Sequence, residues 1–317
     1  MKLVVITGCL GLIGSHVTKR CLERGWRVLG IDSCSYAANQ SLIEEFKKKE
    51  NFTFLKKDIA SLKFLPDCDY VINLAAESHV GNSIVDSTDF LHSNINGVKN
   101  LLDLIRNKQK NVFNQPILLH FSTDEVYGDI EEGEHFETDH LNPSNPYSAS
   151  KAAADMLIKA WSRTYGINYV IVRPTNNYGI NQYPEKLIPI SVKALQLGKR
   201  IKLHNNGDPI RNWLHADDTA RAVITIIESG NINEIYNISG NLEQSNYITV
   251  QKIVNSYFEE AKENIEPYIN LSHVREGQDV RYSLNDDKLK KLGWEPKRNF
   301  DLEIKTIGFK NKELFPY

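Results

Sequence analysis

The stretch LVVITGCLGLIGSHVTKRCLERG, residues 3–25, constrains the fold more than any other part of this chain. Leu3–Thr7 is a short run of β-favouring residues. Gly8, Gly11 and Gly14 follow at three-residue intervals, and apolar residues then recur at helical spacing until Gly25. A strand that passes through a tight glycine turn directly into a helix opens a parallel α/β unit. The free N–H groups at the start of that helix suit an anion such as a pyrophosphate. Taken alone, the spacing also fits an ordinary glycine-rich turn.

The next strand, RVLGID, supplies the second part of the pattern. Asp32 ends it about 20 residues after the glycines, where a carboxylate can accept hydrogen bonds from both hydroxyls of a nucleotide ribose. A 2′-phosphate would be repelled there, and SCSYAANQ, which follows, contains no Arg or Lys. The reading is NAD rather than NADP. Further strands are expected at FTFLKKDI (52–59), DYVINLAA (69–76), ILLHFS (117–122) and NYVIVRP (168–174), with helices around 94–108 and 147–165. Strands alternating with helices imply an α/β fold with a Rossmann-type, doubly wound parallel sheet. Asp58, with Ile59, is placed to hold an adenine edge, although an ordinary strand-ending Asp reads the same. NLAAES (73–78) ends its strand in small residues that would let a cofactor come close.

After Pro174 the alternation loosens. NNYGINQYPEKLIP reads as a loop, SVKALQLGKR as a short helix, WLHADDTARAVITIIESG as strand then helix, and EIYNIS as a last strand. The expected division is a cofactor-binding domain over 1–174, with 205–238 returning to it. A smaller mixed α/β lobe would be assembled from 175–204 and 239–317 and cap the C-terminal edge of the sheet, where open α/β folds bind ligands.

Residues 121–129, FSTDEVYGD, carry an oddity: two adjacent carboxylates, Asp124 and Glu125, at the end of an apolar strand. Carboxylates are normally excluded from such strands. A polar strand-end turn would account for them; so would acid–base chemistry, provided the backbone leaves its pleat at 123–125, because pleated neighbours point to opposite faces. Downstream, Tyr147 and Lys151 stand at i, i+4 on a helix and share a face. An ammonium beside a phenol favours phenolate and lowers the tyrosine pKa. The spacing alone also suits a surface pair, but Thr123 at a strand end of the same sheet completes a hydroxyl, tyrosine and lysine set.

The net charge of −2 removes any electrostatic case for nucleic acid or an anionic membrane surface as partner. Four cysteines, Cys9, Cys21, Cys34 and Cys68, form no CxxC and no Cys/His metal spacing, so no metal and a reducing, cytoplasmic setting are expected. The first apolar run is too short and glycine-rich for a signal peptide or membrane span.

The segments TGCLGLIG, NLAAESHV, FSTDEVYGD, NPYSASKAAAD, RPTNNYG, YPEKLIP, IRNWLHADDTARA, YNIS and GWEP occur in this order from Leu3 to about Trp294. In them the chain resembles the extended short-chain dehydrogenases/reductases, and most of all the nucleotide-sugar 4,6-dehydratases that act on dTDP-glucose. The resemblance implies NAD held by Gly8, Gly11, Leu12, Ile13, Gly14, Asp32, Ser35, Asp58, Ile59, Leu74, Ala75, Ala76, Ser78, Ser93, Tyr147, Lys151 and Asn177. It implies a nucleotide sugar held by Ser78, His79, Thr123, Asn176, Glu185, Lys186, Leu187, Lys202, His204, Arg211, Asn246, Gln278 and Tyr282. Arg211 suits a diphosphate through its planar fork, with a surface ion pair to Asp208 or Asp217 as the other reading.

In such enzymes Tyr147 would take the O4 proton while C4 is oxidised, Lys151 would tune it, and Thr123 would bond O4. Glu125 would remove the C5 proton and Asp124 would protonate the departing C6 hydroxyl. A 4-epimerase or decarboxylase of the same superfamily would use Tyr147 and Lys151 but needs no Asp-Glu pair; a non-catalytic NAD-binding protein would need none of the five. The resemblance also implies a homodimer through the 94–108 and 147–165 helices. Departures lie at Cys9 in the phosphate turn and in the C-terminal tail. Others lie at Gly81-Asn82, His204, Gln278 and Val280, in or beside the substrate cleft, so nucleotide base and hexose stay open.

Overall fold

The computed structural model describes residues 1–109, 115–273 and 279–310. Twelve strands occur among them: β1 (Leu3–Thr7), β2 (Arg27–Asp32), β3 (Phe52–Lys56), β4 (Tyr70–Asn73), β5 (Ile117–Phe121), β6 (Tyr169–Pro174), β7 (Asn176–Tyr178), β8 (Ile201–His204), β9 (Ile210–His215), β10 (Glu234–Ile238), β11 (Glu243–Ser245) and β12 (Ile269–His273). Seven form one sheet in the order β10-β6-β5-β4-β1-β2-β3, and every pairing in it is parallel. A parallel sheet is covered on both faces, which is why its strands are near-continuous apolar runs. Leu12–Glu23 and Ala216–Ser229 cover one face; Val98–Gln109 and Pro146–Tyr165 cover the other. The strand order reverses between β1 and β4, so the crevice of this doubly wound sheet opens beyond their C-terminal ends.

The remaining strands make two small sheets, β11-β9-β7 and the parallel pair β12-β8. They pack with the helices Leu187–Gln196, Asn246–Phe258 and Phe300–Lys310 around Tyr178, Trp213, Ile253 and Ile304. No helix among the described residues is long and apolar enough to cross a membrane.

Two expectations are corrected by the topology. Of the returning stretch 205–238, only β10 joins the large sheet; β9 lies between β7 and β11. Residues 286–298, expected in the second lobe, lie against the first. Leu289 and Trp294 are buried in the same core as Val172 and Ile238, and Trp294 donates its indole N–H to the Asp218 carbonyl at 3.1 Å. A buried tryptophan requires such an acceptor, and the helix Ala216–Ser229 provides it. The helix expected over 94–108 is π-helical at Leu91–Gly97 before becoming α-helical at Val98, a distortion common at functional sites.

Candidate active site

The C-terminal edge of the large sheet and the small sheets enclose a cavity of about 860 Å³. Every candidate residue named from the sequence lines it, except Gln278, which lies outside the described residues.

At the cofactor end, Gly8 has φ +68°, and a Cβ built there would lie 2.7 Å from the Leu74 carbonyl carbon and the Ala75 nitrogen. Gly14 sits so close beneath it that an added Cβ would meet the Gly8 oxygen at 2.0 Å. A side chain at Gly8 would push the turn away from the end of β4, and one at Gly14 would push the helix off the turn itself, so both glycines are dictated by packing. The helix Leu12–Glu23 that follows has no side-chain cap and no acid in its first turn. It therefore presents unsatisfied N–H groups and a positive dipole end to the cavity. Asp32 braces this turn: its carboxylate accepts from Leu10 N at 3.0 Å and Cys34 N at 2.8 Å. Burial raises its pKa against those two bonds. Asp58 accepts from Ala60 N and from His92 Nε2 at 2.8 Å. The donors, the packing and the carboxylate at the second strand end fit a dinucleotide.

At the chemical end, β5 stops at Phe121. Thr123 is extended and caps a 3₁₀ turn, Asp124–Tyr127. This is the departure from pleating expected at 123–125, and it turns Asp124 and Glu125 toward one cavity. The Thr123 hydroxyl accepts from Glu125 N and donates to Asp124 Oδ1 at 3.0 Å. The other Asp124 oxygen is buried without a partner. Burial first, then the neighbouring Glu125 charge, push the Asp124 pKa up to about 7. Glu125 is half-buried, and its carboxylate accepts from Asn145 Nδ2 at 3.3 Å. Burial raises its pKa too, opposed by Arg211 and Asn145. Burial thus raises both carboxyls, but Asp124 keeps one oxygen unpartnered while Glu125 keeps the Asn145 amide and the Arg211 charge, surroundings in which one acid can serve as donor and the other as acceptor.

Tyr147 and Lys151 lie on the helix Pro146–Tyr165, which opens with Pro at its first position and a capping box between Asn145 and Ser148. The effect expected of Lys151 on Tyr147 is not what the structure shows. Burial, Glu125 and Asp124 raise the phenol above its ordinary range, with Thr123 opposing. The ammonium instead donates to the Phe121 carbonyl, and desolvation lowers its pKa to about 8. A main-chain oxygen at the strand end has captured it. Beneath it, Asp155 Oδ2 accepts from Arg173 and Ser122, anchoring the helix to the sheet.

At the far end, Asn176 and Asn246 each keep a buried side-chain oxygen without a partner. Arg211 lies over the Tyr282 ring at 5.0 Å and donates to the Asp279 carbonyl. Among the described residues Arg211 forms an ion pair with neither Asp208 nor Asp217; Asp217 is held by Arg20 and Arg298, each at 2.7 Å. Lys186 donates to the Ser78 carbonyl at 2.7 Å, and Lys202 and His204 are exposed along β8. Asn177 is tied at both ends of its amide, to Thr219 and the Thr175 carbonyl.

Two residues at this site escape a sequence reading. Asn94, in the π-helical stretch, accepts from Glu77 N and donates to Ser150 Oγ at 2.9 Å, pinning the end of β4 to the Tyr147 helix. Asn145 orients Glu125. A polar residue in an apolar helical stripe and an Asn before Pro146 were the available signals.

The chain matches the family model described as GDP-mannose 4,6 dehydratase over residues 5–307. It is 38% identical over 326 residues to dTDP-glucose 4,6-dehydratase of Haemophilus influenzae, covering 95% of each chain. It is 36% identical over 315 residues to the trifunctional UDP-glucose 4,6-dehydratase/3,5-epimerase/reductase RHM3 of Arabidopsis thaliana, covering 95% of this chain and 46% of that protein. Among solved structures it superposes, with a TM-score of 0.90 and 32% identity, on a double mutant of the dTDP-glucose 4,6-dehydratase DesIV from Streptomyces venezuelae with NAD bound. That match covers 99% of this chain and 97% of the other. The glycine turn, the paired carboxylates and the tyrosine–lysine helix therefore stand in a member of the GDP-mannose 4,6 dehydratase family.

Proposed function

We propose that this protein is an NAD-dependent nucleotide-sugar 4,6-dehydratase that converts an NDP-hexose of the dTDP-glucose or UDP-glucose type to the NDP-4-keto-6-deoxyhexose. The observation that carries the reading is the pair of carboxyls on one turn after Thr123: Asp124, buried with one oxygen unpartnered and its pKa pushed up to about 7, beside Glu125, which accepts from Asn145. NAD would lie along Gly8, Gly11, Gly14 and Asp32, reaching Tyr147 and Lys151. It supplies the hydride acceptor and donor and, through its cationic ring, a charge that favours the Tyr147 phenolate.

The protein's own groups do the proton work. Tyr147 accepts the proton from O4 while Thr123 bonds that oxygen. The carbonyl formed at C4 acidifies the C5 hydrogen, which Glu125 removes. Asp124 gives its proton to the C6 hydroxyl, which leaves as water, and C6 is then reduced. Arg211 faces the diphosphate, and Asn176 and Asn246 offer their unpartnered oxygens to substrate donors. A 4-epimerase or decarboxylase would need Tyr147 and Lys151 but no proton held near neutrality at Asp124.

The division into a cofactor part, 1–174 with 205–238 returning to it, and a nucleotide-sugar part, 175–204 with 239–317, is kept with β9 moved to the second and residues 286–298 to the first. Exposed Leu91 and Met156 on the dimer-side helices support a homodimer, which sedimentation would test. Four free thiols support a reducing, cytoplasmic setting. Incubation with a panel of nucleotide hexoses tests the function directly. The expected result is a 4-keto-6-deoxy product from one of them; an intact C6 hydroxyl with inversion at C4 would overturn it in favour of an epimerase.

A further inference from the structure

The cavity carries a closure that the proton chemistry does not use. The segment after β2 and the segment after β7 meet there. Tyr36 donates its hydroxyl to Glu185 Oε2 at 2.9 Å, and the same hydroxyl meets the Asn82 side chain. Its ring stands edge-on to Tyr183, with centroids 5.2 Å apart. A few residues further, Asn39 Nδ2 donates to Asn181 Oδ1 at 3.0 Å.

Both ends of this second bond are anchored. The Asn39 N–H donates to the Leu10 carbonyl at 3.0 Å, so its position is tied to the glycine turn. Its side-chain oxygen is taken by Ser41 N and Oγ. On the other side, Asn181 holds a left-handed φ of +75°, a conformation Asn tolerates better than most residues. Gln182 donates to the Asn177 carbonyl at 2.9 Å and keeps that turn in place. Ser35, Ala37 and Ala38 line one wall of the cavity, and Gln182, Tyr183 and Glu185 another. The two bonds join wall to wall beside the cofactor end.

We infer that Tyr36–Glu185 and Asn39–Asn181 form a clasp that sets how fast NAD enters and leaves. The inference rests on the NAD-dependent reading above. A reaction that removes a hydride and returns it leaves the cofactor unchanged, so turnover requires no exchange. A closed wall then does not slow the cycle, whereas in an enzyme releasing NADH each turnover it would slow the release step.

The test is the exchange kinetics of NAD on the intact protein, followed by displacement with the fluorescent etheno analogue. Tyr36→Phe keeps the ring against Tyr183 and loses the hydroxyl. Asn181→Gly accepts the left-handed backbone and loses the amide. Each partly exposed bond corresponds to an acceleration of about three- to tenfold in release, and the double variant should show about the product of the two. Entry should accelerate with release, because a clasp gates both directions and leaves Kd nearly fixed. Unchanged release in the double variant overturns the clasp. So does faster release with unchanged or slower entry, which marks damage to the binding site. Product formation from the hexose panel, read on the same preparations, tests the dehydratase reading separately: clasp-dependent NAD exchange without a 4-keto product keeps the clasp and removes that reading.

Discussion

Replacing Asp124 with Asn separates the chemical claim from every other reading of the site, because it predicts a gain in stability as well as a loss of activity. Folding moves this carboxyl from its ordinary 3.8 to about 7, which corresponds to a penalty of about 4 kcal/mol once both folded and unfolded forms are ionised. The folded pKa is the higher one, so the folded state binds the extra proton. Stability is lost as pH rises from about 4 to about 7 and stays lost above that. Asn cannot ionise and escapes this penalty. Its amide leaves a buried donor where Asp124 leaves a buried oxygen, a constant cost that cancels when two pH values are compared.

Between pH 5 and pH 8 the variant should therefore gain about 2.5 kcal/mol on the parent. For a chain of 317 residues that widens the gap in melting temperature by about 4 °C. Thermal or urea unfolding at the two pH values measures it. In the same variant, substrate-dependent NADH absorbance should still appear, while water loss should fall about 10²- to 10⁴-fold with the general acid gone. A gap that is the same at pH 5 and pH 8 would show that Asp124 is ionised in the folded protein at neutrality, and it could not then be the proton donor.

Glu125→Gln should permit NADH formation with substrate and stop elimination, so that C5 deuterium in the substrate no longer exchanges or washes out; normal product release would remove Glu125 as the base. Tyr147→Phe should abolish the NADH absorbance change altogether, and a parent-like change would refute its role at O4. Arg173→Met leaves Asp155 buried without its partner, since the pair at 2.9 Å is almost fully buried. Unfolding in urea should then register a loss of about 3–5 kcal/mol.

The parts of this site that are legible in the sequence are those whose chemistry is local. Gly8, Gly14 and Asp32 occupy positions where the chain itself must turn, close up or end a strand. Tyr147 and Lys151 share a face through helix geometry alone. The irregular backbone at 123–125 follows from the demand that two neighbours serve one cavity. The parts that were not legible depend on partners distant in the chain. β9 is a short mixed run, and nothing in IRNWLH says that it pairs with β7 rather than with the large sheet. Trp294 declares a need for burial and an acceptor but not that Asp218 supplies it. Lys151 was expected to face Tyr147 because side chains are visible in a sequence. Its actual acceptor, the carbonyl of Phe121, is a main-chain atom that every residue carries.

In the proposed mechanism, water loss differs from epimerisation by an asymmetry between two adjacent acids, and the fold offers small differences from which to build it. Asp124 is 3% exposed and has one oxygen with no donor, and burial raises its pKa against the Thr123 hydrogen bond. Burial raises the Glu125 pKa as well, but Glu125, one residue on, keeps more exposure, an amide from Asn145 and the charge of Arg211, which oppose that rise. Once Glu125 is charged, it raises Asp124 further. In the proposed mechanism, ionisation of Glu125 therefore favours keeping the proton on Asp124. A regular strand would have sent the two carboxyls to opposite faces, with no coupling between them. On the proposed mechanism, the 3₁₀ turn after Thr123 is therefore the structural step that would let a hydroxyl–tyrosine–lysine oxidation site also expel water.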